Sequence, residues 1–176
     1  MIADGPMAGR TVLLTGATSG IGRETALALA GMGAHIVVVG RDRARLGTVL
    51  DRIRARGGRA DALVADLSSL GNVRALSAEF LDRFDRLDVL INNAGLVVGE
   101  RTLTADGYEY TFSLDHLAPF LLTNLMLDRL KASAPSRVIT VSSVAHRFGR
   151  MHFDDLMLER RYSPLTAYAQ AKLANV

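Results

Sequence analysis

The feature that most limits the fold of this chain is a regular alternation of short apolar segments with longer segments of helical periodicity. The short segments occupy residues 10–15, 35–39, 62–65, 87–91 and 137–141. The longer ones carry apolar residues at three- and four-residue intervals and occupy residues 21–32, 42–56, 69–84 and 105–131. Nearly continuous apolar strands are typical of a parallel sheet that is covered on both faces. The order of elements therefore predicts an α/β fold, a doubly wound Rossmann-like parallel sheet with helices on both faces.

The composition is that of one globular domain and excludes several kinds of site. The chain has 176 residues, of which 49% are apolar and 22% are charged, and it has no cysteine. The lack of cysteine excludes disulfide scaffolds, thiol nucleophiles and cysteine-ligated zinc. The four histidines lie on separate predicted elements without HxH or HxxxH spacing, so no metal site is predicted. We therefore expect a single domain over residues 1–176.

The charge pattern does not favour nucleic acid or a membrane as a partner. The formal net charge is +3. The densest arginines, within residues 41–59, are interrupted by apolar residues at helical spacing, which is typical of a solvated helix face. No run approaches the roughly 18 apolar residues of a membrane span, and residues 1–6 lack the basic and apolar regions of a secretory signal. We therefore expect a cytoplasmic protein.

A glycine-rich turn follows the first predicted strand directly and leads into the first predicted helix. It consists of Thr-Gly-Ala-Thr-Ser-Gly-Ile-Gly over residues 15–22. Glycines allow a tight turn and a close approach to a pyrophosphate, whose charge is stabilised by free N–H groups at a helix N-terminus. Because a strand and a helix flank it, the turn predicts a dinucleotide-binding site. The predicted contacts are Gly16, Thr18, Ser19, Gly20, Ile21 and Gly22.

The end of the second predicted strand indicates which nicotinamide cofactor would bind. An NAD site usually has a carboxylate there for the ribose 2′-hydroxyl, whereas an NADP site has an arginine near the 2′-phosphate. This strand ends in glycine and Arg41 follows, so NADP(H) is favoured over NAD(H), with Arg41 as the first choice for the phosphate contact. Arg43 is a second candidate, and Arg23 and Arg45 are weaker ones. Asp42 could turn towards the ribose, although its position favours a cap on the following helix.

Two further motifs make the sequence resemble the short-chain dehydrogenase/reductase family. The turn has the family's TGxxxGxG spacing, residues 92–95 are Asn-Asn-Ala-Gly, and residues 168–172 are Tyr-Ala-Gln-Ala-Lys. The resemblance implies that the Asn-Asn-Ala-Gly segment supports the sheet and the adenosine end of the site. It also implies that a carboxylate after the third strand meets the adenine ring. The residues that it adds to the cofactor site are Asp66, Leu67, Asn93, Ala94 and Gly95, together with Tyr168 and Lys172.

Tyr168 and Lys172 lie four residues apart and therefore share one face of the last predicted helix. Reduction of a carbonyl by hydride needs an acid for the forming alkoxide, and a neighbouring ammonium favours the phenolate form of a tyrosine. The resemblance assigns Tyr168 as acid/base and Lys172 as the residue that favours the phenolate and binds the nicotinamide ribose. It assigns Ser143 to orienting and stabilising the substrate oxygen. Ser142 is expected to have a structural role.

The fourth member of the family's catalytic set departs from the family pattern. The family has an asparagine in the preceding long helix, within a pattern like NHLxxF, and this chain has Asp115 there. In the family this asparagine helps to hold a water that links the lysine to solvent. Pro119 has no N–H to donate to the carbonyl of residue 115, so that carbonyl would be free to hold the water. We hypothesise that Asp115 keeps this backbone role while its charge pins Lys172 and weakens its effect on Tyr168.

The long segment between the fifth strand and the last helix bears on the substrate. Residues 144–164 carry apolar side chains among charged ones, which suits either a partly mobile wall for an apolar substrate or an amphipathic helix packed on the sheet. Together with residues 172–176, this region resembles the retinol dehydrogenase and protochlorophyllide reductase-like branch of the family. The resemblance implies an apolar alcohol interconverted with a ketone or aldehyde. A truncated or non-catalytic nucleotide-binding protein of the same fold is the alternative, and a purely structural dimer is a third interpretation.

The resemblance adds two expectations about the whole molecule. Family members are longer than 176 residues, so it implies that the C-terminal strands of the sheet are missing, through truncation or through incomplete coverage of a longer protein. The helix predicted over residues 105–131 and the last helix resemble the pair that builds the family's dimer interface. A homodimer or homotetramer is therefore expected.

Overall fold

A computed structural model describes residues 5–176 and contains a five-stranded parallel sheet. The strand order is β3-β2-β1-β4-β5, with β1 Thr11–Thr15, β2 His35–Gly40, β3 Arg59–Val64, β4 Val89–Asn92 and β5 Arg137–Thr140. The helices are α1 Gly20–Gly31, α2 Arg43–Arg54, α3 Leu70–Arg83, α4 Tyr110–Phe112, α5 Ala118–Leu125, α6 Leu127–Ala132 and α7 Pro164–Ala174. This architecture confirms the predicted α/β fold. The predicted lack of a secretory signal concerns residues 1–6, of which residues 1–4 lie outside the described part.

The core lies on both faces of the sheet because successive residues of a strand point in opposite directions. Leu13 and Leu90 belong to a buried cluster that includes Phe80 of α3. Val12 and Leu14 pack on the opposite face in a second cluster with residues of α1 and α2. Helices therefore cover both faces, which explains the nearly continuous apolar sequence of the central strands.

β3 begins at Arg59, earlier than the predicted start at residue 62. Its pairing with β2 runs from His35 opposite Arg59 to Gly40 opposite Val64. Arg59 and Asp61 near the start of β3 are charged, and Asp61 Oδ2 lies 2.7 Å from His35 Nε2. Backbone pairing with β2, rather than a run of apolar residues, therefore determines where this strand begins.

The prediction of one helix over residues 105–131 is wrong in its start and in its continuity. The first helical turn begins at Tyr110, where the buried Glu109 carboxylate accepts hydrogen bonds from two N–H groups of that turn, at 2.9 and 2.7 Å. A π-helical turn, Ser113–Leu117, then precedes α5. Pro119 accounts for the wider turn, because its ring has no N–H for the carbonyl four residues earlier and would clash with that carbonyl in a regular helix.

Residues 144–164, all within the described part, contain a 3₁₀ helix, Val144–Phe148, and reach α7 without an α-helix or strand of their own. The alternative of an amphipathic helix packed on the sheet is therefore wrong. Buried Gln170 of α7 holds the segment instead. Its Oε1 accepts a hydrogen bond from the His152 N–H at 2.9 Å, and its Nε2 donates to the Leu156 carbonyl at 2.8 Å.

A buried carboxylate ties β1 to the start of β4 at the amino end of the sheet. Asp88 has a side chain only 1% exposed. It accepts hydrogen bonds from the Thr11 N–H at 2.9 Å, from Arg10 at 2.7 Å and from Arg86 at 2.5 Å. Burial opposes ionisation of Asp88, but the hydrogen bonds from Arg86, Arg10 and Thr11 outweigh it and lower the pKa of Asp88 to about 2.

Candidate active site

A cleft of about 820 Å³ opens at the carboxyl end of the parallel sheet. Segments that follow all five strands line it, which is the usual place of ligands in open α/β sheets. Nearly all of the predicted site residues meet in this one cleft. They are Gly16, Thr18, Ser19, Gly20, Ile21, Gly22, Arg41, Asp66, Leu67, Asn93, Ala94, Gly95, Ser143, Tyr168 and Lys172. The remaining one, Asp115, lies directly behind Lys172.

The glycine-rich turn is held against the end of β4 by Asn93. Asn93 Nδ2 donates hydrogen bonds to the carbonyls of Thr15 and Gly16 at 3.0 and 3.2 Å. Gly16 has a φ of +68°, and a Cβ there would lie 2.8 Å from Ala94 Cα. A Cβ on Gly22 would lie 2.2 Å from the Gly16 carbonyl oxygen. Only glycine fits at these two positions, so backbone atoms form this part of the cleft wall.

The N-terminus of α1 faces the cleft without a side-chain cap. Ser19 is the N-cap residue, and no side chain of the described residues caps this turn by a hydrogen bond. By contrast, Asp42, Ser69 and Ser163 cap α2, α3 and α7 with their side chains. Uncapped N–H groups at the positive end of a helix bind phosphate well. The turn and the helix therefore fit the pyrophosphate of a dinucleotide.

Two arginines and a tyrosine lie at the end of the cleft that follows β2. Asp42 caps α2, as its position favours, because its Oδ1 accepts the Arg45 N–H at 3.0 Å. Its Oδ2 also forms an ion pair with Arg45 Nε at 3.3 Å. Arg41 is exposed, and its Nη1 donates to the Tyr110 hydroxyl at 3.5 Å. Arg41, Asp42, Arg45 and Tyr110 line the cleft, and the candidates Arg23 and Arg43 are not among its described lining residues. An anionic group at this end would therefore meet Arg41 and Arg45.

Asp66 and Leu67 follow β3 and line the cleft between the β2 and β4 segments. Asp66 Oδ1 accepts hydrogen bonds from the N–H and the hydroxyl of Ser68, at 3.0 and 2.8 Å. These bonds fix the orientation of the carboxylate beside the cleft. Its contact with an adenine ring remains a prediction from the family resemblance.

Ser142 and Ser143 follow β5 and have different partners. Ser142 Oγ donates to the Lys172 carbonyl at 2.8 Å and so ties α7 to the end of β5. Ser143 Oγ accepts the Ala145 N–H at 3.2 Å. Because a hydroxyl also carries a donor, Ser143 can still donate to a substrate oxygen. The contact of Ser142 agrees with the structural role expected for it, and the role of Ser143 remains a prediction.

α7 presents Tyr168 and Lys172 to the cleft from one face, in agreement with their four-residue spacing. Lys172 Nζ lies 5.4 Å from the centroid of the Tyr168 ring. The helix begins after the Ser163 cap with Pro164 in its first turn, a position where proline costs no hydrogen bond. Lys172 is buried and Tyr168 is half-buried. A phenol and an ammonium therefore share an enclosed part of the cleft.

Lys172 forms an ion pair with Asp115 behind the cleft wall. Its Nζ lies 3.0 Å from Asp115 Oδ2, and the two side chains are 4% and 0% exposed. Asp115 Oδ1 accepts the Leu96 N–H at 3.0 Å, and Lys172 Nζ also donates to the Val141 carbonyl at 3.3 Å. Gly95 lies against the pair, since a Cβ there would lie 2.8 Å from Asp115 Oδ2. Burial raises the pKa of Asp115, and the charge of Lys172 and the Leu96 N–H oppose that rise without cancelling it.

The backbone carbonyl of Asp115 is not free, contrary to the expectation from sequence. Asn175 Nδ2 donates to it at 2.7 Å, and Asn175 Oδ1 lies 3.0 Å from His116 Nδ1. Pro119 removes only the donor within the same helix. A side chain at the end of α7 supplies one donor to this carbonyl; because a carbonyl oxygen has two lone pairs, its role in holding a water stays a prediction. The ion pair agrees with the hypothesis that Asp115 pins Lys172, and the effect on Tyr168 remains a prediction.

Sequence reasoning missed Tyr110 and Asn175. Tyr110 falls inside the segment predicted as one long helix, and its place at the cleft depends on the helix beginning there. Asn175 is the C-cap residue of α7, a type of position where asparagine is common. The cap is readable from the sequence, but the partner of its side chain, some 60 positions away, is not.

Residues 144–164 do not form a wall of this cleft, which was the other alternative for them. Within the described chain, the lining passes from Ser143 to Tyr168. Phe148 and Phe153 are 85% and 81% exposed. Val97, which follows β4, is a large apolar residue that does line the cleft, and it is 48% exposed.

Two negative findings apply to residues 5–176. No group of three or more histidine, aspartate or glutamate residues is arranged so that it could hold a metal ion. No helix in this part of the chain combines the length and the apolar character needed to cross a lipid bilayer.

Comparison with known proteins gives a matching family model and relatives of similar sequence. A family model described as short chain dehydrogenase matches residues 10–154. Human retinol dehydrogenase 13 is 45% identical over 171 residues, which cover 96% of this chain and 52% of that protein. The chain spans about half the length of the curated relatives it matches.

Solved structures also include proteins that are similar to this chain in fold and in sequence. A protein of Mycobacterium paratuberculosis superimposes with a TM-score of 0.84 at 41% identity, covering 99% of this chain and 62% of that one. A 3-oxoacyl (acyl-carrier-protein) reductase from Agrobacterium tumefaciens C58, solved with NADP bound, gives 0.77 at 29% identity, covering 96% and 61%.

Proposed function

This chain belongs to the short chain dehydrogenase family, and on that premise we propose that it is an NADP(H)-dependent oxidoreductase that interconverts an alcohol and a ketone or aldehyde. One observation carries the proposal. A single cleft combines an uncapped helix N-terminus behind a glycine turn with a serine, a tyrosine and a buried lysine on facing segments. The first part suits a dinucleotide, and the second suits protonation of an oxygen beside it.

The preference for NADP(H) depends on Arg41. The neighbouring carboxylate of Asp42 also lines the cleft, but it is engaged as the cap of α2 and as the partner of Arg45. The NADP-bound reductase from Agrobacterium tumefaciens, which has the same fold, supports this choice of cofactor.

Side-by-side calorimetric titrations of NADP⁺ and NAD⁺ test this preference. We expect tighter binding of NADP⁺, and Arg41→Met should weaken NADP⁺ binding about tenfold or more while leaving NAD⁺ binding unchanged, since a charge-assisted hydrogen bond contributes about 1.5–3 kcal/mol. Arg43→Met, outside the cleft lining, is the matched control. Tighter binding of NAD⁺ by the unaltered protein would overturn the proposal for the cofactor.

In the proposed reaction, each of the three polar residues of the cleft has its own role beside the cofactor. A bound nicotinamide cofactor supplies or accepts the hydride. Tyr168 donates its hydroxyl proton to the carbonyl oxygen during reduction and takes a proton from the alcohol during oxidation. Ser143 donates a hydrogen bond to the same oxygen and orients it. Lys172 holds its ammonium 5.4 Å from the centroid of the Tyr168 ring and has a place beside the nicotinamide ribose.

A non-catalytic nucleotide-binding protein is the second candidate, and the ion pair of Asp115 with Lys172 favours it. A carboxylate 3.0 Å from Nζ offsets part of the charge that would act on Tyr168. Binding of NADPH without turnover of any carbonyl compound would support this candidate over the first.

The cleft lining bears on the substrate class, and two exposed apolar side chains bear on the assembly. An apolar substrate suits Val97 in the cleft lining, and the relatives named retinol dehydrogenases agree with it. A homodimer or homotetramer would cover Phe120 of α5 and Leu165 of α7, which are 63% and 74% exposed. Sedimentation of the wild type beside Phe120→Asp tests this, and a monomeric wild type would contradict it. A single domain and a cytoplasmic location remain predictions from the sequence.

A further inference from the structure

Asn175 joins the two elements that carry the buried ion pair. It ends α7, the helix of Lys172, and its Nδ2 donates to the Asp115 carbonyl at 2.7 Å. Its Oδ1 lies 3.0 Å from Nδ1 of His116, the residue after Asp115 in the π-helical turn. One amide therefore contacts two successive residues of the turn that carries the carboxylate.

The chemistry of the partners fixes the orientation of this amide. A carbonyl oxygen only accepts hydrogen bonds, so the nitrogen of Asn175 must face Asp115 and the oxygen must face His116. The amide oxygen also only accepts, so His116 must donate from Nδ1. Both the neutral tautomer with Nδ1–H and the imidazolium have this proton. The bridge is therefore compatible with either charge state of His116.

The π-helical turn needs such a support. Pro119 removes the N–H that would bind the Asp115 carbonyl in a regular helix, and Asn175 supplies a donor in its place. α7 is fixed from the other side by the bond of Ser142 to the Lys172 carbonyl. Between these two anchors the carboxylate and the ammonium meet in a site closed to water, with side chains 0% and 4% exposed.

We infer that Asn175 is a positioning residue. It holds the π-helical turn at the distance from α7 at which Asp115 contacts Lys172. It thereby sets how strongly the carboxylate offsets the lysine charge next to Tyr168. The consequence for catalysis rests on the proposed function, whereas the consequence for the ion pair does not.

The ion-pair consequence is tested by a double-mutant cycle. The cycle compares the wild type, Asp115→Asn, Lys172→Met and the double variant, and urea unfolding gives the unfolding constant of each. The coupling factor is the ratio between the effect of the double variant on this constant and the product of the effects of the two single variants. The same four proteins are then made with Asn175→Ala. We expect this factor to fall at least tenfold. An unchanged factor would overturn the inference, because a merely structural hydrogen bond lowers stability without changing the coupling between two other residues.

Asn124→Ala is the matched control. Asn124 Nδ2 also donates to a backbone carbonyl, that of Phe120, at 2.8 Å, but among the described residues it has no hydrogen bond to Asp115, Lys172 or Asn175. It should leave the coupling factor unchanged, and an equal fall with this variant would contradict a specific role of Asn175. His116→Ala, which removes the second partner of the Asn175 amide, is the backup if Asn175→Ala does not fold, and it should lower the factor in the same direction.

The catalytic consequence has a separate readout. In NADPH-dependent reduction of an apolar aldehyde, Asn175→Ala should raise kcat about tenfold, because the carboxylate then offsets less of the lysine charge next to Tyr168, with the KM for NADPH unchanged. A changed coupling factor without turnover by any variant would refute the proposed function and leave the positioning role standing. Turnover with the same kcat and the same coupling factor in Asn175→Ala would refute the positioning role and leave the proposed function standing.

Discussion

Replacing Lys172 by methionine leaves the Asp115 carboxylate buried without its cation. The two charged groups are 3.0 Å apart, so at an effective dielectric constant of about 20 their attraction is about 5 kcal/mol. Removal of one partner of a buried ion pair typically costs about 3–5 kcal/mol, because the other charge remains uncompensated. We therefore expect Lys172→Met to lower the free energy of unfolding by about 3–5 kcal/mol at pH 8.

This cost should depend on pH in a defined direction. Burial already raises the pKa of Asp115, and loss of the ammonium raises it further. A carboxyl group whose pKa is higher in the folded state binds more protons there, so stability falls as pH rises from about 4 towards the folded pKa. The destabilisation by Lys172→Met should therefore be largest at pH 8 and should shrink as the pH is lowered to 5.

Urea unfolding followed by circular dichroism at several pH values between 5 and 8 measures this effect. Lys131→Met is the control, since Lys131 is exposed and its loss should change stability by less than about 0.5 kcal/mol. Adding Asp115→Asn to Lys172→Met should restore much of the lost stability and remove its pH dependence. A cost that is the same at pH 5 and pH 8, or a double variant as unstable as the single one, would refute the reasoning.

Three further substitutions have expected outcomes. Asp88→Asn should lower stability at neutral pH by about 2 kcal/mol, because the pKa of Asp88 is lowered to about 2. Since that contribution is lost as the pH falls from about 4 to about 2, the difference from the wild type should shrink in acid urea titrations, and a constant difference would contradict the assignment. Gly22→Ala should abolish NADPH binding in a fluorescence titration, because its Cβ would lie 2.2 Å from a carbonyl oxygen of the turn. Gly47→Ala, where a Cβ meets open space, should bind NADPH as the wild type does, and retained binding by Gly22→Ala would refute the argument. Ser142→Ala should lower thermal stability by about 0.5–1.5 kcal/mol through loss of its bond to the Lys172 carbonyl, and an unchanged melting temperature would show that the bond contributes little.

The parts of the fold that local sequence could predict are those that depend on burial or on backbone freedom. The apolar strands, the glycine turn and the spacing of Tyr168 and Lys172 all correspond to the structure, because each depends on residues close together in sequence. β3 begins earlier than predicted, since pairing with β2, and not burial, places Arg59 and Asp61 in the strand.

The parts that escaped prediction depend on contacts between distant residues. The segment over residues 105–131 has helical periodicity almost throughout, but the Glu109 cap and Pro119 set where its helices begin and where its turn widens. The sequence could show that the Asp115 carbonyl loses its usual donor. It could not show that Asn175 replaces that donor, because this requires the packing of α7 against the π-helical turn.

The most direct test of the proposed function is NADPH-dependent reduction of apolar aldehydes and ketones, followed by absorbance at 340 nm, with the wild type and Tyr168→Phe compared at equal NADPH occupancy. The account predicts turnover by the wild type, with kcat at least about a hundredfold lower in Tyr168→Phe, because the general acid is lost while the ring remains. Tyr108→Phe, whose side chain lies outside the described cleft lining, should react as the wild type does. Equal turnover by the wild type and Tyr168→Phe, or NADPH binding without turnover of any compound, would contradict it.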